Sequence, residues 1–231
     1  AELGITTDVR DGSLSINTTT LNGFIATDPL NVASIFASLA RPTNENVEFV
    51  SSGSKTLVGD YSVDFTAAAA GSITSGAVAL NGQSLDFSGQ NKDVQFTVTV
   101  DGATSSTITL NGDYTTGATD AENLGLLAAA LQSQINTALP SNTVLVTADT
   151  SANKLIVSTV SAGASSGVTF TEVVRLGSIG FDTGTTSVAG SAASGTINGQ
   201  AATWDATART LTGAASSSVA GLVLKIDSGA T

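Results

Sequence analysis

The sequence predicts an α+β fold, mainly antiparallel β with a single substantial helix. Three observations carry this. Apolar and polar residues alternate at period two over much of the chain, Asp-Gly and Asn-Gly pairs punctuate those runs, and the segment 119–139 repeats at helical period instead. Antiparallel, β-rich head domains follow, one of them with a single helix packed on a small sheet, together with a short helical segment at the N-terminal side.

Residues 1–45 form that flanking segment. Asp11-Gly12 is a turn signal between the short apolar runs at Leu3–Ile5 and Leu14–Ile16. Leu21, Phe24 and Ile25 share a helical face. Asp28-Pro29 reads as a helix start, with Val32, Ile35, Phe36 and Leu39 forming an amphipathic stripe up to Arg41-Pro42. From residue 47 the period changes to two. Val47 and Phe49, then Tyr61, Val63 and Phe65, read as strand, turn, strand. A Gly/Ala/Ser-rich stretch follows from Ala67 to Ala79.

The middle segment, 81–179, reads as an inserted β-β-α-β-β domain. Val94, Phe96, Val98 and Val100 alternate, Asp101-Gly102 turns the chain, and Thr107–Leu110 returns. Thr119 and Glu122 fit a capping box, in which each side chain satisfies the other's free backbone N–H. Leu124, Leu127, Ala128, Leu131 and Ile135 make the expected buried stripe, and Pro140 closes the helix. Val144, Val146 and Ala148 then alternate, and Leu155, Val157, Val168 and Phe170 follow on returning strands. Short strands at 195–201, 209–213 and 222–226 find pairing partners only at 47–65. An outer β-domain is therefore expected from 46–80 plus 180–231, with the middle unit nested within it.

Composition narrows the function. The chain has 231 residues, with 41% hydrophobic but only 5% aromatic, so Ala, Val, Ile and Leu must fill its core. Charged residues are 12%, yet the net charge is −11. Such a surface repels phosphates and anionic lipid, so neither nucleic acid nor membrane is expected as a partner. No apolar run is long enough to span a bilayer. There is no Cys, so no disulfide and no thiolate metal site. There is no His, which removes the commonest general base and the triad imidazole together. Met is absent too, and the chain reads as an internal piece of a secreted, longer protein.

Four local patterns invite a chemical reading, and none sustains it. Gly163-Ala164-Ser165-Ser166-Gly167 has the spacing of a nucleophile elbow but has no imidazole to serve it and a strand after it. Ser52-Gly53-Ser54-Lys55 has the Ser-x-x-Lys spacing without its partner motifs. The acidic turns Asp8–Gly12 and Asp182-Thr183-Gly184 lack the spaced oxygen series of a calcium loop. A carboxylate pair for glycoside hydrolysis would be short of aromatic platforms. Trp204, the single tryptophan, is read as core. No catalytic, cofactor-binding or metal-binding residue and no cofactor is expected, and the chain is read as non-enzymatic.

Three segments together resemble the bacterial flagellar filament-capping family, the hook-associated FliD proteins. The first is Leu3–Asp8 with Asp11–Ile16, Leu21, Asp28-Pro29 and Val32–Phe36. The second is Leu131–Ala138, followed by Val144–Ala148 and Asn153–Ser158, similar to the Ile-Asn repeat of flagellins and hook-associated proteins. The third is Gly195–Ala202 with Leu211–Gly213 and Gly221-Leu222. In that family the first run follows the head domains; here it precedes a set of them. The resemblance implies a structural subunit of the filament cap, located outside the cell at the flagellum tip. It implies flagellin as partner and ring self-association in the full-length protein, with flagellin folding and polymerisation promoted by steric templating. The competing class is a surface adhesin or flagellin-like variable domain that binds host glycan or mucin.

Overall fold

The computed structural model describes residues 3–29, 32, 40–82, 84–182 and 184–228. In chain order the elements are β1 (Ile5–Thr7), β2 (Leu14–Ile16), α1 (Thr18–Thr27), β3 (Val47–Ser51), β4 (Val63–Thr66), β5 (Ala70–Thr74), β6 (Val94–Val100), β7 (Ala103–Thr104) and β8 (Ile108–Leu110). There follow α2 (Asp120–Ala138), β9 (Val144–Asp149), β10 (Lys154–Ala162), β11 (Val168–Val174), β12 (Thr186–Val188), β13 (Ser194–Ile197), β14 (Gln200–Asp205), β15 (Thr210–Gly213) and β16 (Val223–Ile226). Every strand pairing among the described residues is antiparallel, and the fold is β-rich, of the α+β kind. The chain separates into two compact units: Ala1–Thr66 with Ser194–Thr231, and Ala67–Ala193.

In the first unit, β1 and β2 form a hairpin closed by Asp8 and Gly12, the glycine at φ +74. Helix α1 is capped by Asn17, whose side-chain oxygen accepts from the N–H groups of Thr19 and Thr20. Asp28 ends this helix, its N–H donating to the Phe24 carbonyl. Val32 is helical and buried, while Ile35, Phe36 and Leu39 of the expected stripe lie outside the described residues.

The main body of this unit is a six-stranded sheet in the order β3-β16-β15-β14-β13-β4. Segment 47–65 thus flanks the C-terminal strands on both sides. Asn198 and Gly199, at φ 49 and 70, make the tight hairpin between β13 and β14, because two successive positive φ values match the strand twist. Ile197, Leu211, Val219, Leu222, Leu224 and Ile226 form its core. Trp204 is half-buried against that core, its ring 4.7 Å from Phe65.

The second unit differs from the expected single small sheet: it holds two. One is four-stranded, in the order β12-β5-β10-β9, and the other sets β6 between β11 on one side and β7 and β8 on the other. β11 pairs with β6 rather than with its chain neighbour β10. Helix α2 begins in the expected capping box, with Thr119 accepting from the Glu122 N–H and Glu122 accepting from the Thr119 N–H. It buries Leu124, Leu127, Ala128, Leu131 and Ile135 between the sheets, together with Val94, Phe96, Leu110, Val144, Leu155 and Val157. Phe170 stacks on Phe181 at 4.3 Å and abuts Phe96.

Segments 67–80 and 180–193, read from sequence as part of the outer domain, pair within this second unit instead. β5 is hydrogen-bonded to both β10 and β12. The reason is that Ile73, the inward residue at the middle of β5, is flanked at the neighbouring inward positions by small residues, Gly71 and Ser75. Gly71 lies so close to the 163–167 loop that a Cβ there would stand 2.3 Å from the Ser166 carbonyl oxygen. Ser75 is fully buried, its hydroxyl donating to the Gly76 carbonyl and accepting from the Leu155 N–H. Inward glycine and serine hide the alternation that usually marks a strand.

Gly71→Ala is therefore expected to destabilise the chain by about 2 kcal/mol, the cost of forcing backbone apart in a packed core. Gly167→Ala, whose added Cβ meets nothing within 4 Å, is expected to be near neutral. Urea unfolding of the two variants checks the contrast.

Candidate functional site

The turn of helix around Ile135 does two things at once. Ile135 points into the core and is fully buried. Gln132 and Asn136, at i and i+4, lie on a neighbouring face and reach the outer edge of β9. Asn136 donates from its amide nitrogen to the Val144 carbonyl at 3.1 Å and accepts the Val144 N–H at 2.8 Å. Gln132 accepts the Val146 N–H at 2.8 Å.

The register explains why these groups are available. The Val160 N–H donates to the Thr143 carbonyl, so in an antiparallel ladder Leu145 and Thr147 face β10 while Val144 and Val146 face outward. The two amide side chains occupy the place of a missing neighbour strand. They also hold α2 to the sheet by bonds that, unlike apolar packing, fix a single register. These residues lie within Leu131–Ala138 and Val144–Ala148, two of the runs that carry the resemblance to the Ile-Asn repeat. The sequence exposed the motif but not its physical task, because Asn and Gln give no periodic signal.

The patterns weighed for chemistry fall into structural roles. Ser165 is exposed in the loop between β10 and β11, a turn closed by the Ser166 N–H on the Gly163 carbonyl. Asp101 pins this loop: one carboxylate oxygen accepts from the Gly167 N–H at 3.0 Å, and the other accepts from the Ser161 hydroxyl. Ser52–Lys55 lies in a turn after β3, not at a helix start. There Gly53 stands against Ala220 and Gly221 so closely that its Cβ would be 2.5 Å from the Ala220 carbonyl oxygen.

Asp8 and Asp11 accept from backbone N–H groups two residues ahead, Arg10 and Ser13, as turn-forming aspartates do. The bond from Ser13 lowers the Asp11 carboxyl below its ordinary range. Of Asp182-Thr183-Gly184, Thr183 lies outside the described residues. Among the described residues no three acidic side chains converge as a metal cluster would need.

One carboxylate is strongly perturbed. Asp86 is held at about 2 by the Ser88 hydroxyl first and the Lys92 ammonium second, the latter at 3.0 Å. It ties down the 86–92 loop beside Asp113, with which it forms an isolated β-bridge. Its partners are turn groups, so its shift reflects loop closure rather than a reacting centre.

No protein-family model and no curated protein matches the chain. Solved structures do. The D2–D3 domains of the flagellar cap protein FliD from Escherichia coli align over 82% of this chain and 92% of theirs, at 16% identity and TM-score 0.46. Those from Serratia marcescens align over 78% and 91%, at 19% identity and TM-score 0.44. The flagellar cap protein FliD from Bdellovibrio bacteriovorus aligns over 79% and 89%, at 18% identity and TM-score 0.41. These three solved structures, to which the chain is similar, are of the flagellar cap protein FliD.

Asn136→Ala removes both bonds to Val144 and leaves its main-chain groups without that partner. It is expected to cost about 2 kcal/mol. Asn136→Asp keeps an acceptor for the Val144 N–H but sets a carboxylate against the Val144 carbonyl, and should cost at least as much. Thermal unfolding of both at neutral pH reads the outcome.

Proposed function

We propose that this chain is the head portion of a flagellar filament cap, a structural subunit that promotes flagellin folding and polymerisation at the filament tip by shape and not by chemistry. The observation that carries this reading is the clasp of Gln132, Ile135 and Asn136 on β9. The segment that resembles the Ile-Asn repeat of flagellins and hook-associated proteins here forms one buried anchor and two edge-sealing amides, a reason for that residue pattern to exist. The other two resembling segments support it, one forming the β1–β2 hairpin with α1 and the other the β13–β14 hairpin with β15.

In this reading the partners are flagellin and further copies of the same subunit in the full-length protein, outside the cell. A chain without thiol or imidazole fits such a role. A scaffold that admits and confines an incoming subunit needs rigid, self-satisfied units and no reactive group. The alternative of an adhesin for host glycan or mucin gains no specific observation.

The test is genetic. A strain in which this segment is deleted in frame is expected to be non-motile and to shed unassembled flagellin into the medium. Filaments of normal length and number in that strain would defeat the reading.

A further inference from the structure

The sheet β12-β5-β10-β9 has two edges, and the protein treats them differently. The β9 edge is sealed by Gln132 and Asn136. Among the described residues no strand pairs with the outer side of β12. The Ser75 N–H donates to the Leu155 carbonyl, so Leu155 and Val157 face β5, and Ile73, opposite Val157, faces β10. Ser72 and Thr74 then face β12, paired with Val188 and Thr186. Ser187, between them, turns its N–H and carbonyl outward. Thr186, Ser187 and Val188 are all exposed, Val188 at 57%.

An open edge is a template for another strand, and proteins ordinarily blunt one by keeping it short or with lysine, proline or an inward charge. β12 is short, but it carries no lysine, proline or charge. No charged residue occurs between Asp182 and Asp205. In a chain of net charge −11, two copies repel each other over most of their surface. This strip adds no charge of its own to that repulsion.

The strip is also self-complementary. Turned about Ser187, it sets Ser187 opposite its own counterpart and Thr186 opposite the second copy's Val188. The two Thr186–Val188 pairs are β-branched on both sides, residues that suit a pleated strand.

We propose that β12 is a self-association edge, through which two copies of the chain join antiparallel about Ser187 to make one continuous sheet. The contact is two-fold and closed, distinct from any ring contact, and it does not rest on the filament-cap reading. Three residues a side make it weak, so the dimer is populated only at high protein concentration.

Sedimentation equilibrium of the whole chain over a concentration series reads it. The unaltered chain is expected to show a concentration-dependent dimer. Ser187→Pro removes the outward N–H and no bond to β5, and should weaken the dimer by roughly tenfold or more while leaving thermal unfolding close to that of the unaltered chain. Ser187→Asp and Ser187→Lys place like charges opposite each other, so each alone should stay monomeric, and a mixture of the two should dimerise. A chain that stays monomeric at every concentration overturns the proposal. So does a dimer unaffected by Ser187→Pro, or a mixture of the charge variants that fails to pair.

Discussion

The two hydrogen bonds between Asn136 and the main chain of Val144 are the constraint on which the second unit depends. A chain built of short strands has many ends and edges, and each leaves backbone N–H and carbonyl groups to be satisfied. Here a helix supplies what a further strand otherwise would. It does so with two amide side chains one turn apart, flanking a fully buried isoleucine. The apolar stripe of α2 holds the helix down; the amides decide where along β9 it sits. Slippage by one residue would turn Val144 and Val146 out of the core and bring Leu145 in, so register and burial are settled together.

The same economy runs through the chain. With few aromatics, bulk cannot fix the geometry, and small polar side chains fix it instead. Asp101 fastens the 163–167 loop, Ser75 bridges the end of β5 to β10, Thr159 accepts from the Gly71 N–H, and Asn198 accepts from the Ser62 N–H. Among the described residues no buried side-chain polar atom lacks a partner. Aspartates that look like candidate ligands or acids spend their oxygens on turns. A scaffold that acts by form gains from this, since fully satisfied turns are stiff and offer little to react with.

Much of this was legible in the sequence, and the illegible part has a consistent physical cause. The capping box at Thr119 and Glu122 and the stripe from Leu124 to Ile135 carry strong local signals, and the helix forms where they place it. The run 195–201, read as one strand, is instead two, because Asn198 and Gly199 take positive φ and turn the chain between them. β5 and β12 gave no signal because their neighbours in space, not their own apolar residues, make them strands. Gly71 is there for a close approach and Ser75 for hydrogen bonds. The split of the middle segment into two sheets was hidden for a related reason. β11 follows β10 in sequence but pairs with β6, where Phe170 packs against Phe96 and stacks on Phe181, a contact that no local pattern reveals. At the clasp, Asn136 could have been found from its place one residue after a buried isoleucine. Its partner Val144 could not, because helix and strand meet only in the fold.

Amide hydrogen exchange along β9 tests the central claim most directly. If Gln132 and Asn136 replace a missing strand, the Val144 and Val146 amides exchange as slowly as the interior amide of Val157, although β9 is an edge. Exchange at Val144 and Val146 as fast as at the outward Ser187 amide would contradict it.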